Sequence, residues 1–220
     1  MERVLEPELM DDERQALAYA GADFGASNQM FVDGLVRDFP RHLHEALDLG
    51  CGPGDVVIRL ARAAPDAAIT AVDGSGPMIA LAERAVRAAG LDRRITLIQS
   101  RVPGVPLGGH AFDAVLSKDM LHHLPDPSVL WGEVVRLGRH GAAVYVMDLV
   151  RPPTPEAARR IVDTVAGAED PLLRLDFYNS LRAAFTVNEL HEQLASAGLD
   201  LRVARAGDRH LLVSGLLRSV

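Results

Sequence analysis

The stretch ALDLGCGPGD, residues 46–55, carries a short apolar run into three glycines, Gly50, Gly52 and Gly54, before the chain turns apolar again. An apolar run, alternating glycines, and then Val57, Leu60, Ala61 and Ala64 on one side of a 54–64 segment read as strand, tight turn and helix. Glycines at such a turn let the backbone approach a ligand closely, and the N–H groups of the following helix carry partial positive charge. Two acids flank the turn, Asp48 and Asp55, and no Lys or Arg lies within it. The dinucleotide pattern G-x-G-x-x-G is not met, and an acid at position 55 would repel a pyrophosphate, which counts against an NAD-dependent reductase.

Outward from this turn, helices and strands alternate. Strands are expected at 45–50, 67–73, 95–99, 112–117 and 142–149, with two more near 200–206 and 210–216. Besides the helix at 54–64, helices are expected at 7–20 and 26–38, and another opens at Pro77 with Met78, Leu81, Ala82, Ala85, Val86 and Ala89 at helical spacing before Gly90. Asp126 and Pro127 open another, residues 151–183 are mostly helical, and Thr186 with Glu189 forms a capping box for a last helix ending at Gly198. Repeated strand–helix–strand units imply an α/β fold, a doubly wound and mainly parallel seven-stranded sheet, whose ligands bind at the carboxyl ends of the strands. One domain is expected over 1–220: an N-terminal helical segment (1–42), a cofactor-binding core (43–150), a helical cap (151–185) and a final helix with two strands (186–220).

Composition narrows the partners. With 220 residues, a formal charge of −7 and one lysine, Lys118, the chain lacks the basic stripe that nucleic acid requires. The apolar runs fall short of a bilayer span and the first 30 residues lack a basic and apolar leader, so a cytoplasmic protein away from membranes is expected. The single cysteine, Cys51, allows no internal disulfide, consistent with a reducing compartment, and leaves a thiolate nucleophile as an alternative use. Small molecules are the favoured partners, and no metal site is expected because the histidines lack the usual ligand spacing.

Asp73 ends the second strand about 20 residues past the turn, where a carboxylate can accept from both hydroxyls of an adenosine ribose. A helix-capping role is the alternative, since Ser75 and Pro77 follow. Turn and acid together suit an adenosine that carries positive charge and no phosphate.

Three segments in order, LDLGCGPG (47–54), VDGSGPMI (72–79) and FDAVLSKDMLHHLPDP (112–127), resemble the first, second and fourth motifs of the class I S-adenosylmethionine-dependent methyltransferases, a resemblance that covers residues 44–150. It implies S-adenosylmethionine as cofactor, S-adenosylhomocysteine as product and methyl transfer to a small molecule. Carried across by position, Asp48, Gly50, Cys51, Gly52 and Gly54 would contact the methionine moiety and Asp73 the ribose. Gly74 and Met78 would line the adenine side with Ser100, Arg101 and Val102, while Ser117 and Lys118 would border the sulfonium. Arg101 stands where the family commonly has an acid that accepts from the adenine amino group, and arginine has no acceptor.

In-line methyl transfer asks mainly for positioning, with a general base only where the acceptor keeps a proton of high pKa. His122, His123 and Asp119 follow the fourth strand and are the candidates for that work, each with packing or capping as the alternative. Tyr178, with Asn179 and Arg182, lies on the expected cap and is the candidate for reading a polar acceptor; its alternative is packing in the core. Tyr19 and Phe24 have similar standing. Chemistry other than methylation on the same cofactor, and binding without turnover, are the competing functions.

Overall fold

A computed structural model describes residues 1–7, 9–109 and 111–218. The glycine stretch forms the expected unit. Strand β1 (Glu45–Leu49) runs into the turn and out through helix α3 (Asp55–Ala63). After it come β2 (Ala68–Asp73), α4 (Gly76–Ala88), β3 (Ile95–Gln99), β4 (Phe112–Lys118), α5 (Ser128–Leu137) and β5 (Gly138–Leu149). Two cap helices, α6 (Pro155–Ala166) and α7 (Pro171–Ala183), precede α8 (Val187–Ser196), β6 (Arg202–Ala206) and β7 (His210–Leu216). The seven strands lie in the order β3-β2-β1-β4-β5-β7-β6, with β7 antiparallel to both neighbours and the other neighbouring pairs parallel. The order reverses beside β1, so the ends of β1 and β4 open a crevice at the carboxyl edge.

Alternation along the strands feeds two cores. Leu47, Leu49, Val115 and Val144 pack on one face with Trp131 of α5 and Leu190 of α8. Ala46, Ile69, Leu116 and Tyr145 pack on the other with Val57 and Leu60 of α3. Burying each large side chain contributes roughly 1.5–3 kcal/mol, so either face alone secures its helices. On α4 the buried face is Met78, Ile79, Ala82 and Val86, turned slightly from the expected one, with Leu81 only half-buried. Ser75, not Asp73, caps that helix, accepting from Met78 N–H at 3.3 Å.

The N-terminal expectation of a helix over 7–20 is corrected. Helix α1 is Glu13–Gly21, started by Asp12, which accepts from Gln15 N–H; α2 follows at Gly25–Asp38. Ahead of α1 the chain runs without helix because tertiary bonds hold its backbone and side chains elsewhere. Val4 N–H donates to Arg182 O at 3.1 Å, and Arg3 donates to the carbonyls of Ala183, His122 and Leu124 at 2.6, 2.9 and 2.9 Å. Ser75 Oγ donates to Met10 O at 2.6 Å, so this strap spans from the cap to the end of β2. No helix among the described residues is long and apolar enough to cross a membrane.

Candidate cofactor and acceptor site

All three turn glycines have positive φ: 83° at Gly50, 52° at Gly52 and 89° at Gly54. The first two positions of the turn are tied to the neighbouring strand, Gly50 and Cys51 N–H donating to Val72 O at 2.8 and 3.0 Å. A side chain at Gly50 would overlap Met120, its Cβ falling 2.4 Å from Cγ. At Gly52 the same test meets nothing within 4 Å, because that position opens onto a cavity of about 320 Å³.

Asp73 and Asp48 set the charge of this cavity. Asp73 Oδ2 accepts from Gly52 N–H and Oδ1 from Ser75 N–H, both at 2.8 Å, so the acid that faces the cavity also fixes the turn. Burial raises its pKa, and the two N–H donors work against that rise. Asp48 is buried, and its Oδ1 has no partner. Burial first, and then the negative Asp73, push the Asp48 carboxyl up to about 7, with Lys118 opposing. An orphaned buried carboxylate oxygen calls for a cationic donor. Asp55, expected from the sequence to repel a pyrophosphate, is paired: Arg59 Nε and Asn28 Nδ2 donate to its Oδ2 at 2.7 and 2.8 Å. The unanswered negative charge therefore belongs to Asp48 and Asp73.

The adenine-side residues Gly74, Met78, Ser100, Arg101 and Val102 all border the cavity. Gly74 is pressed by the strap, since a Cβ there would lie 2.6 Å from Leu9 Cδ2 and 3.4 Å from Arg101 Cγ. Two expected cofactor residues stand behind the wall. Gly54 starts α3 and packs on Ala82, and Ser117 Oγ donates to Leu49 O at 2.7 Å between strands. Cys51 lines the cavity with its thiol pushed well up by burial and nearby carboxylates, which disfavours a thiolate nucleophile.

The segment after β4 makes a turn in which Asp119 takes φ 54°, a left-handed conformation that Asp tolerates better than most residues. Lys118 is buried rather than exposed and pairs with Asp119 Oδ2, while His210 Nε2 approaches Asp119 Oδ1 at 3.5 Å. Burial would raise the Asp119 pKa, but Lys118 and His210 outweigh it and hold the carboxyl well below the usual range.

The histidines, in a short 3-10 turn at Leu121–His123, part company. His123 borders the cavity; His122 is turned inward and does not. Nδ1 of His122 lies 2.6 Å from Asp148 Oδ1, its N–H donates to Asp148 Oδ2 at 3.1 Å, and Nε2 lies 3.3 Å from Glu6 Oε1. Burial disfavours its charge, yet the two acids prevail and raise its pKa. Burial and the neighbouring His122 ring, 4.2 Å away centre to centre, lower His123 to about 3. Tyr178, expected to read the acceptor, packs with Leu149, Val162 and Leu181 beneath the cap, with Arg159 and Arg182 over its ring at 5.5 and 5.4 Å. Tyr19 and Phe24 do reach the cavity, their rings 4.7 Å apart. Glu6, Asp148 and His210 were not legible as site residues, having no motif around them.

A doubly wound sheet with a glycine turn, an acid after β2 and an unpaired acid beneath the turn defines a nucleoside-binding domain of the methyltransferase type. Residues 46–141 match a family described as a methyltransferase domain. A demethylmenaquinone methyltransferase of Porphyromonas gingivalis is 34% identical over 110 residues, covering 50% of this chain and 45% of its own. A ubiquinone biosynthesis O-methyltransferase of Methylococcus capsulatus is 31% identical over 163 residues, covering 71% of this chain and 63% of its own. Among solved structures, a SAM-dependent methyltransferase from Aquifex aeolicus superposes with a TM-score of 0.69 at 18% identity, covering 93% of this chain and 98% of that one. Residues 46–141 are thus similar to a methyltransferase domain, and the fold is that of a solved SAM-dependent methyltransferase. It spans about half the length of the first curated relatives it matches.

Proposed function

We propose that this chain moves a methyl group from S-adenosylmethionine to a small apolar or aromatic acceptor. The observation that carries the reading is the buried, unpartnered Asp48 Oδ1 beside Asp73, a pair of carboxylates bordering an open glycine turn. These residues fit the cofactor: Asp48 offers an acceptor for the methionine ammonium, and Asp73 keeps lone pairs for the ribose hydroxyls while Gly52 and Ser75 N–H hold it in place. Gly52 gives backbone access, and Arg101, in place of an acid, presents a planar guanidinium for stacking on the base. When bound, the cofactor supplies an electrophilic methyl on sulfur. What the chain supplies is position: in-line transfer gains most from holding two reactants in a water-poor site. Tyr19, Phe24 and Met120 form an apolar wall for the acceptor, and Asp119 and His123 are the polar groups placed to contact it. His122 supports His123 from behind, and Tyr178 supports the cap.

The relatives' names, on demethylmenaquinone and in ubiquinone biosynthesis, favour an acceptor with a hydroxylated ring. We place the chain as one domain in a reducing cytoplasm, in keeping with its single, buried Cys51. Calorimetry with S-adenosylmethionine, S-adenosylhomocysteine and NADH, followed by transfer of a labelled methyl group to ring hydroxyl compounds, tests this. Binding of the first two with label transfer is expected. Preference for NADH defeats the reading, and cofactor binding without transfer to any acceptor would favour a sensor.

A further inference from the structure

Glu6, His122 and His123 meet beside the cavity although 115 residues or more of chain separate the acid from the histidines. Oε1 of Glu6 lies 3.3 Å from Nε2 of His122 and 3.3 Å from Nδ1 of His123. One carboxylate oxygen thus faces two ring nitrogens, each slightly beyond the roughly 2.7–3.2 Å of an ordinary N–H···O bond. Two atoms bound at about 2.0–2.1 Å to a tetrahedral metal lie about 3.3–3.4 Å apart, so each separation matches an edge of such a site. The three candidate ligand atoms all lie within 4.8 Å of one another.

The surroundings have the form of a metal site's outer layer. Asp148 Oδ1 takes Nδ1 of His122 at 2.6 Å, which fixes the ring and directs the Nε2 lone pair toward Glu6. Ser180 Oγ donates to both Glu6 oxygens, at 3.1 and 3.3 Å, orienting the carboxylate. The carbonyl of Pro7, 3.3 Å from His123 Nδ1, is a further oxygen in reach. Asp148 is buried and the Glu6 side chain is 8% exposed, so two carboxyl groups meet the rings in a place poor in water, where a divalent cation would balance their charge.

We propose that Glu6, His122 and His123 hold a divalent cation of the zinc type, with Asp148 as the supporting carboxylate. A donor set of imidazole and carboxylate without thiolate suits zinc or cobalt better than calcium or magnesium. Because Glu6 sits on the strap and the histidines follow β4, the cation clasps the N-terminal segment, with Leu9 and Met10, against the cavity edge. This site goes beyond the methyl-transfer reading and does not depend on it.

The test uses the full chain without an affinity tag, freed of metal by chelation and titrated with Zn²⁺ by calorimetry and with Co²⁺ by visible absorption. One cation per chain is expected, with a ligand-field band of a four- or five-coordinate Co²⁺ site. Glu6→Gln and His123→Gln should each weaken Zn²⁺ binding by at least a hundredfold and Asp148→Asn by about tenfold or more, with circular dichroism confirming that each variant is folded. Glu6→Gln keeps the size of the side chain, so it remains informative where a histidine variant unfolds. No stoichiometric binding by the folded native chain, or binding that Glu6→Gln leaves unchanged, overturns the proposal and makes the cluster a hydrogen-bonded acid–histidine–acid chain.

Discussion

The two walls of the cavity are built differently. On the wall proposed for the cofactor, the part around the glycine turn comes from consecutive elements, β1, the turn, α3, β2 and Asp73, within residues 45–73. On the side proposed for the acceptor, Tyr19 and His123 line the cavity from α1 and the turn after β4, and Glu6, Asp148 and His210 stand behind that turn from the strap, β5 and β7. The first wall works through backbone N–H groups and a few acids, so it needs a fixed local geometry. The second works through side chains held by tertiary contact, so single changes there should act on the acceptor and leave cofactor affinity nearly unchanged.

The sharpest way to break that contrast is Asp73→Ala. It removes the acceptor of Gly52 and Ser75 N–H and the one proposed for two ribose hydroxyls, charge-assisted bonds together worth on the order of 2–4 kcal/mol. Calorimetry should show S-adenosylhomocysteine binding weakened about thirtyfold to several-hundredfold, whereas Tyr19→Phe should change it less than about threefold. Equal losses in both variants would erase the distinction between the walls.

Within the turn, two glycines should fail differently. Gly50→Ala meets Met120 at 2.4 Å and adopts φ 83°, so a loss of roughly 2–3 kcal/mol is expected, about 4–12 °C in Tm for a chain of this size. Gly52→Ala has open space around its Cβ, so its stability loss should be about half as large. Its methyl group points into the cavity proposed for the cofactor and should weaken binding instead. Melting curves beside binding constants separate the two outcomes, and equal Tm shifts with unchanged affinity would move the cofactor away from Gly52.

The cofactor wall was legible because its chemistry is local. Three glycines followed by an acid about 20 residues on specify the turn, the helix and an acid beside the turn from sequence alone, and the alternation of apolar segments specifies the sheet. The opposite wall was legible only in part: Tyr19, Phe24, Asp119 and His123 are candidates from the sequence that reach the cavity, whereas Glu6 has no motif around it, and only the strap's bonds to Arg182, Ala183 and Ser75 bring it to His122. Residues 7–11 carry apolar and acidic positions that suit a helix, but tertiary bonds and the Asp12 cap delay its start to Glu13. Asp55 shows the limit in part: Arg59, four residues on in α3, supplies its counter-charge, but Asn28, which also donates to it, comes from α2.

Asp48 gives the contrast a pH signature. Its folded pKa of about 7 lies above the unfolded value of about 3.9. Its contribution to the free protein's stability is therefore full below about pH 4 and lost as pH rises through about 7. A cationic cofactor favours the ionised carboxylate, so affinity should move the other way, about tenfold weaker at pH 6 than at pH 8. Asp48→Asn should flatten both profiles between pH 5 and 8. Affinity of the native chain that stays constant over that range would place the ammonium elsewhere.

Tyr178→Phe should have the smallest effect, and it bears on which elements meet the acceptor at all. Its ring packs with Ile161 and Phe177 in the cap core and is covered by Arg159 and Arg182, while the cavity wall is formed by Tyr19 and Phe24 instead. Removing the hydroxyl leaves the packed ring and both cation–π contacts in place, each worth about 0.5–1 kcal/mol at an exposed site. With a known acceptor, kcat and KM should stay within about twofold of the native values, because no catalytic interaction is removed. Tyr19→Phe, on the wall itself, should raise KM without lowering Tm. A larger kinetic loss in Tyr178→Phe than in Tyr19→Phe would mean that α7 swings over the acceptor during turnover, and the cap would then have to be counted as part of the acceptor wall.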